Sequence, residues 1–281
     1  MTLTGLPRRV IREIVQLVFA VLITVLFGAP LVFVALNAGM DVPQAAEMRM
    51  ALPESPQYLA NLGEVIAARD GAVLRAFWNS SVITVSSIVI LIVVGAMSGM
   101  VLQRRRGKAV TPIMFLVLAG LMVPPAVVPT IKLLQTLGIF KTLYSMVLIE
   151  VAINLPVTIV LYRAYMVSIP QEMDESALIE GASPWQLYWR IILPLVKPVT
   201  ATVIVLSAVF IFNDFVHPLY FLPGAENVTV QLTLYNFMSR YATQWNLLFS
   251  NVLLISLPPL VAFIVFNKRI VAGVVAGAVK G

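Results

Sequence analysis

Few side chains in this 281-residue chain could do chemistry, and their types narrow the choice at once. There is no cysteine, so neither a disulfide framework nor a thiolate metal site can form. The one histidine, His217, lies in the run "FIFNDFVHPLY" with Asn213 and Asp214. Glu150 and Asn154 stand one helical turn apart in an apolar stretch. No nucleophile–base pair and no metal-ligand spacing joins these groups, which speaks against an enzyme and against a bound metal. Nor is there a G-x-x-x-x-G-K-[ST] loop. Gly107-Lys108 is followed by Ala109 and lacks the upstream glycine, so the chain has no phosphate cradle of its own.

What these groups can do is hydrogen-bond and hold charge. An ionisable side chain at the centre of a membrane span costs about 2.5–3.5 kcal/mol and so needs a reason. Glu150, Asn154, Asn213, Asp214 and His217 are therefore candidates for a polar solute path or a gate. The alternative is that Glu150 bonds a neighbouring helix and Asp214 lies near the outer surface. Spacing at i, i+4 puts Asn213 and His217 on one helical face.

The second chemical feature is acid. Gln171–Glu180 carries four of the thirteen carboxylates: Glu172, Asp174, Glu175 and Glu180. Local signals there describe two short helices at an angle. Ser168 is a candidate cap with Gln171 as its capping-box partner, and Pro170 falls in the first turn. Met173 and Ala177 share a face, continued by Gly181. Gly181 suits the left-handed residue that ends a helix. Ser183, Pro184 and Gln186 restart one as cap, first residue and capping-box partner, and "LPLVKP" stops it at Pro194.

The elements that must position these groups are membrane helices. The chain is 60% hydrophobic, only 11% charged, and has a mean hydropathy of +0.95. Six apolar segments are long enough to span: Ile14–Leu36, Trp78–Leu102, Pro112–Ile131, Leu143–Tyr165, Val199–Phe221 and Leu247–Phe266. The first is too long for a signal peptide and is read as retained. Prolines at 124, 125, 129, 156, 258 and 259 should kink these spans. With the N-terminus inside, 13 of the 19 basic residues fall in inside segments, "QRRRGK" at 103–108 foremost. Both termini are thus expected in the cytoplasm, and the +6 charge marks topology rather than nucleic-acid binding. The acid at 171–180 lies on that same inside, against the trend, so topology does not explain it. A segment of this length with aromatics beside small residues reads as a docking surface.

The stretch "IPQEMDESALIEGASPWQLYWRIILPLVKP" resembles the EAA loop of ATP-binding cassette importer permeases, roughly E-A-A-x-x-D-G-A, nine residues, then I-x-L-P. Glu175, Ala177, Gly181, Ala182 and the closing Ile192-Leu193-Pro194 match. Ser176 and Glu180 replace an alanine and an aspartate. "LPESPQYLANLGEVI" and "MVPPAVVPTIKLLQTLGIF" resemble the family's first outside loop and its third helix with the following turn, "FIFNDFVHPLYFL" resembles the fifth helix of the carbohydrate-uptake branch, and the tail "GVVAGAVKG" is similar to the end of the shorter, maltose-type second subunit. Ser98-Gly99 stands where Ala-Tyr is usual, and Phe212 where Trp is usual.

The resemblance implies an all-α membrane protein of six transmembrane helices, the type I ABC importer permease fold, with a cytoplasmic coupling helix between helices 4 and 5. It implies an N-terminal helix and outer loop over 1–73, a permease core over 74–267 with the EAA loop at about 168–197, and a cytoplasmic tail at 268–281. The implied function is half of an ATP-driven, binding-protein-dependent path for a sugar or sugar-like solute. A non-sugar solute, or an ion-coupled secondary transporter, is the alternative. Glu175, Ser176, Ala177, Glu180, Gly181, Ala182 and Pro194 would couple to an ATPase dimer, which binds the ATP and Mg. This chain would bind no cofactor. The other implied partners are a homologous second permease, a periplasmic or lipid-anchored solute-binding protein, and lipid of a bacterial or archaeal plasma membrane.

Overall fold

In lipid a backbone is satisfied only in helices or a closed barrel. The computed structural model describes residues 8–238 and 243–278, and among these the regular structure is helical with no strand. Arg240 and Lys280, two of the charges used to orient the chain, lie outside the described residues.

Three helices are long and apolar enough to cross a bilayer: α1 (Arg8–Ala38), α3 (Tyr58–Arg104) and α6 (Leu143–Met166). A short α2 (Val42–Ala46) precedes α3, capped by the Asp41 carboxylate, which accepts the Gln44 N–H at 2.9 Å. Two further apolar stretches are broken rather than straight. α4 (Val110–Met122) and α5 (Val127–Thr136) are bent by 111°. Pro124 and Pro125 fill that break, and Val123 before them is extended, as a residue preceding proline prefers. The stretch Pro184–Leu195 and α10 (Lys197–Phe212) are bent by 75°. Counting each bent pair as one span gives five among the described residues, against six expected from hydropathy. The sixth apolar segment falls in α12 (Trp245–Ala278), of which Trp245–Val261 is apolar among the described residues.

α3 is continuous only by hydrogen bonding. Ala68 is extended, and Arg69, Asp70 and Gly71 adopt left-handed angles, so the helix turns there before its span begins. The chain divides into two compact units at the same place. One comprises the described residues up to Gly71 with those of Leu234–Ser256. The other comprises Ala72–Thr233 and the described residues from Leu257 onward.

The first unit is pinned by buried amides. Asn61 Nδ2 donates to the carbonyls of Ala38 and Met40, both at 2.9 Å, and Asn246 Nδ2 donates to Asn61 Oδ1 at 3.0 Å. Ser250 Oγ donates to the Ala38 carbonyl at 2.9 Å.

The second unit holds the candidate site residues and two apolar cores. One gathers Leu91, Met146, Ile149, Ile211 and Phe221. The other gathers Ala96, Tyr162, Ala177, Tyr188, Ile192 and Val203. Between them α3 lies close on α6. A Cβ at Gly99 would meet Tyr162 Cβ at 2.7 Å and the Arg163 amide nitrogen at 2.9 Å, so only glycine fits.

Candidate functional site

The acidic segment folds as an elbow. α7 (Glu172–Ile179) ends in a Schellman turn. The Ala182 N–H donates to the Ala177 carbonyl and the Gly181 N–H to the Leu178 carbonyl, both at 3.0 Å. Gly181 takes φ +87°, where a side chain would be strained. The next helix starts with the full capping box read from the sequence. Ser183 Oγ accepts the Gln186 N–H at 3.2 Å, and Gln186 Oε1 accepts the Ser183 N–H at 2.8 Å, with Pro184 at the first position.

Three local expectations are corrected. Ser168 does not cap α7; its hydroxyl donates to the Tyr165 carbonyl at 2.7 Å, and α7 begins after Gln171 with no side-chain cap. The inward face of α7 is Asp174 and Ala177, while Met173 is exposed and Gly181 has left the helix. Pro194 does not stop the second helix. α8 (Pro184–Gln186) passes into a π-helical turn, Leu187–Ile192, and then α9 (Leu193–Leu195). Proline cannot donate to a carbonyl four residues back and crowds it, and the wider π turn relieves that conflict. The break comes two residues later, at Val196.

The elbow has a buried side and an open one. Ala177, Leu187, Tyr188 and Ile192 belong to the core, and Ala182 packs against it. Tyr188 Oη donates to the Val93 carbonyl of α3 at 2.8 Å. Asp174 meets Arg104, the last residue of α3, with Nε–Oδ2 at 2.7 Å and both side chains mostly buried. The open side presents Glu175, Ser176, Glu180, Gly181 and Pro194, with Ile179 (87% exposed) and Trp185 (60% exposed). Trp189 makes T-shaped contacts with Trp185 and Tyr188, which are themselves tilted against each other, with centroids 5.1–6.2 Å apart. Ser176 spends its hydroxyl locally, donating to the Glu172 carbonyl at 2.7 Å. The surface is therefore acid and grease on a fixed mount, able to bind a basic, apolar cleft and without groups for covalent chemistry.

The second set of residues converges from α6 and the break after α10. Asn154 Nδ2 donates to the Glu150 backbone carbonyl at 2.9 Å and reaches Glu150 Oε2 at 3.3 Å. Glu150 is 3% exposed, and its Oε1 has no hydrogen-bond donor. Asp214 Oδ2 lies 2.6 Å from His217 Nδ1, and Asp214 Oδ1 accepts the N–H groups of Val216 and His217 at the start of α11 (Val216–Phe221). One donor or acceptor atom from each of Glu150, Asp214 and His217 lies within 4.8 Å of the others. Such a trio could hold a cation in principle. Asp214 and Nδ1, however, already satisfy each other and the backbone.

Asn213 does not join them. α10 ends at Phe212, so the expected i, i+4 face shared with His217 is lost. Asn213 instead donates to the Val209 carbonyl at 2.9 Å and accepts from Gln231 Nε2 at 3.1 Å. Reading from sequence missed Arg104, Asp174 and Tyr188. Only the burial of an acid on the Ala177 face marks Asp174, and that is visible only once the fold is known.

Residues 91–275 match the family described as "Binding-protein-dependent transport system inner membrane component". The chain is 28% identical to the probable ABC transporter permease protein YurM of Bacillus subtilis, over 98% of this chain and 92% of that one. It is 32% identical to the melibiose/raffinose/stachyose import permease protein MelC of the same organism, over 74% of this chain and 76% of that one. Its fold is similar to a chain of a bacterial ABC transporter involved in alginate import. There the TM-score is 0.80 at 18% identity, over 94% of this chain and 98% of that one.

Proposed function

The chain belongs to the binding-protein-dependent transport system inner membrane components, and we propose that it is one permease half of an ATP-driven sugar importer. As an importer permease it carries no ATPase site of its own. A homologous second permease supplies the other half of the path, a cytoplasmic ATPase dimer binds ATP and Mg, and a solute-binding protein delivers the sugar. Six spans in a bacterial or archaeal plasma membrane, with both termini in the cytoplasm, place the elbow of α7 and α8 on the ATPase side.

The observation that carries this reading is the elbow itself. It presents Glu175, Ile179 and Trp185 outward from a turn that only Gly181 permits, while Ala177 and Tyr188 fix its back to the membrane helices. Glu175 pairs with cations of the ATPase cleft and the exposed apolar side chains fill it. Closure of the ATPase dimer on ATP then moves the elbow, and the spans rock between inward- and outward-open states. Glu150, Asn154, Asp214 and His217, with Asn213 nearby, line the path or form its gate.

The test is uncoupling. Glu175→Lys and Gly181→Asp, expressed with the second permease and the ATPase, should reach the membrane in normal amount and lose sugar uptake while ATP hydrolysis continues. Normal uptake by both variants rejects docking through the elbow.

A further inference from the structure

Arg104 is the first arginine of "QRRRGK", a run whose composition explains it as a topology anchor. Its neighbours Arg105 and Arg106 fit that description, being exposed. Arg104 does not. Its side chain is 13% exposed, and that of Asp174 is 11% exposed. Nε lies 2.7 Å from Asp174 Oδ2 as an ion pair without hydrogen-bond alignment, and Nη2 donates to Asp174 Oδ1 at 3.4 Å. The same guanidinium donates from Nη1 to the Ile169 carbonyl at 3.0 Å and from Nη2 to the Pro170 carbonyl at 3.4 Å. One planar fork thus grips both the chain entering α7 and its first turn. Such a grip resists displacement in several directions, which a lysine ammonium could not do.

The other arm of the elbow is tied to the same helix by the Tyr188 hydroxyl on the Val93 carbonyl. Both arms therefore hang on α3 and not only on the helices that lead into and out of the segment. We infer that Arg104 is a positioning residue for coupling: through Asp174 it makes the α3 span move with the elbow when the ATPase cleft closes. This rests on the docking reading above. A force on α7 reaches α3 directly, bypassing the 75° bend at Val196. Asp174 is then not part of the docking surface, although it stands beside Glu175 in the acidic run.

The experiment uses the full importer in vesicles, with the binding protein and its sugar, and a cycle of Arg104→Gln, Asp174→Asn and the double variant. Each single change should leave the ATPase co-purifying at normal stoichiometry and hydrolysing ATP, while sugar moved per ATP falls by about tenfold. The double variant should be no worse than either single one, because the two side chains act through each other. Transport within about twofold of wild type, or losses that multiply in the double variant, overturns the inference. Loss of ATPase co-purification also overturns it, since Arg104 would then only fold the elbow. If Arg104→Gln does not accumulate in the membrane, Arg104→Lys replaces it under the same outcomes. It keeps the charge but cannot span the carboxylate and both carbonyls. Glu175→Lys runs beside these as the control for docking. If it uncouples while Arg104→Gln does not, only the strut fails; if Glu175→Lys transports normally, the docking reading fails.

Discussion

At the scale of single residues, the polar groups near the break after α10 form a close, largely buried contact, not a loose polar lining. His217 reaches Asp214 at 2.6 Å, Asp214 is held by two backbone N–H groups, and Glu150 is buried beside them with one oxygen lacking a donor. Buried networks of this kind act as units, so removing one member strands the others. His217→Ala leaves Asp214 without its imidazole in an apolar setting. Uptake into vesicles at saturating binding protein should drop by about tenfold, with the chain still in the membrane. Glu150→Gln is the milder change, because it keeps the shape of the side chain and a donor beside Asp214 while removing the titratable acid. If the contact must open in each cycle, Glu150→Gln slows uptake; if the contact is only a wall, uptake is unchanged. Unchanged uptake in both variants takes these residues out of the path. The sequence marks these side chains as ionisable groups in an apolar run. It paired the wrong ones, because i, i+4 logic assumes a helix that ends at Phe212.

At the scale of elements, what could be read in advance was what local chemistry decides. The elbow's turn follows from Gly181, Ser183, Pro184 and Gln186, each within a few residues of its partner, and the structure keeps that geometry bond for bond. The breaks at Pro124-Pro125 follow from the same local rules. The ties that fix the elbow were not legible, since Arg104–Asp174 and Tyr188–Val93 join positions far apart in sequence. Neither was the π turn ahead of Pro194, which depends on the helix continuing through a residue expected to end it. Gly99 is a further case. The sequence registers it only as a departure from a resembled motif, whereas in the fold it is where α3 lies against the backbone of α6. Even alanine there must displace the Arg163 amide, and valine must push the two helices apart. Overpacking of this kind costs about 1–3 kcal/mol, so Gly99→Val should lower the unfolding midpoint in detergent and reduce the yield of monodisperse protein. A midpoint equal to wild type would mean that the two helices separate freely at this point.

At the scale of the whole molecule, orientation decides whether the elbow can meet an ATPase at all. α1 exposes apolar side chains on every face, from Leu17 and Leu22 to Phe27 and Leu31, and only its last residues are buried within the chain. In a membrane protein such a surface faces lipid or another membrane helix. Charge bias alone places "QRRRGK" inside. The Arg104–Asp174 pair then carries the elbow to the same side by direct contact, whatever bias its own acidic residues would impose. Thus two statements that are separate in sequence, that 103–108 is inside and that 168–197 is inside, become one in the fold. The chain has no cysteine, so single cysteines report sidedness without background. Gly107, Glu180 and Ser55 are all exposed. With the permease expressed without its ATPase, Gly107→Cys and Glu180→Cys should resist a membrane-impermeant maleimide added to right-side-out vesicles and react in inverted ones. Ser55→Cys, in the segment between the first two spans, should do the reverse. If Gly107→Cys and Glu180→Cys label from opposite sides, the Arg104–Asp174 contact does not exist in the membrane. If all three label together from the outside, the orientation assigned from the basic residues is wrong, and the elbow cannot be what answers to ATP.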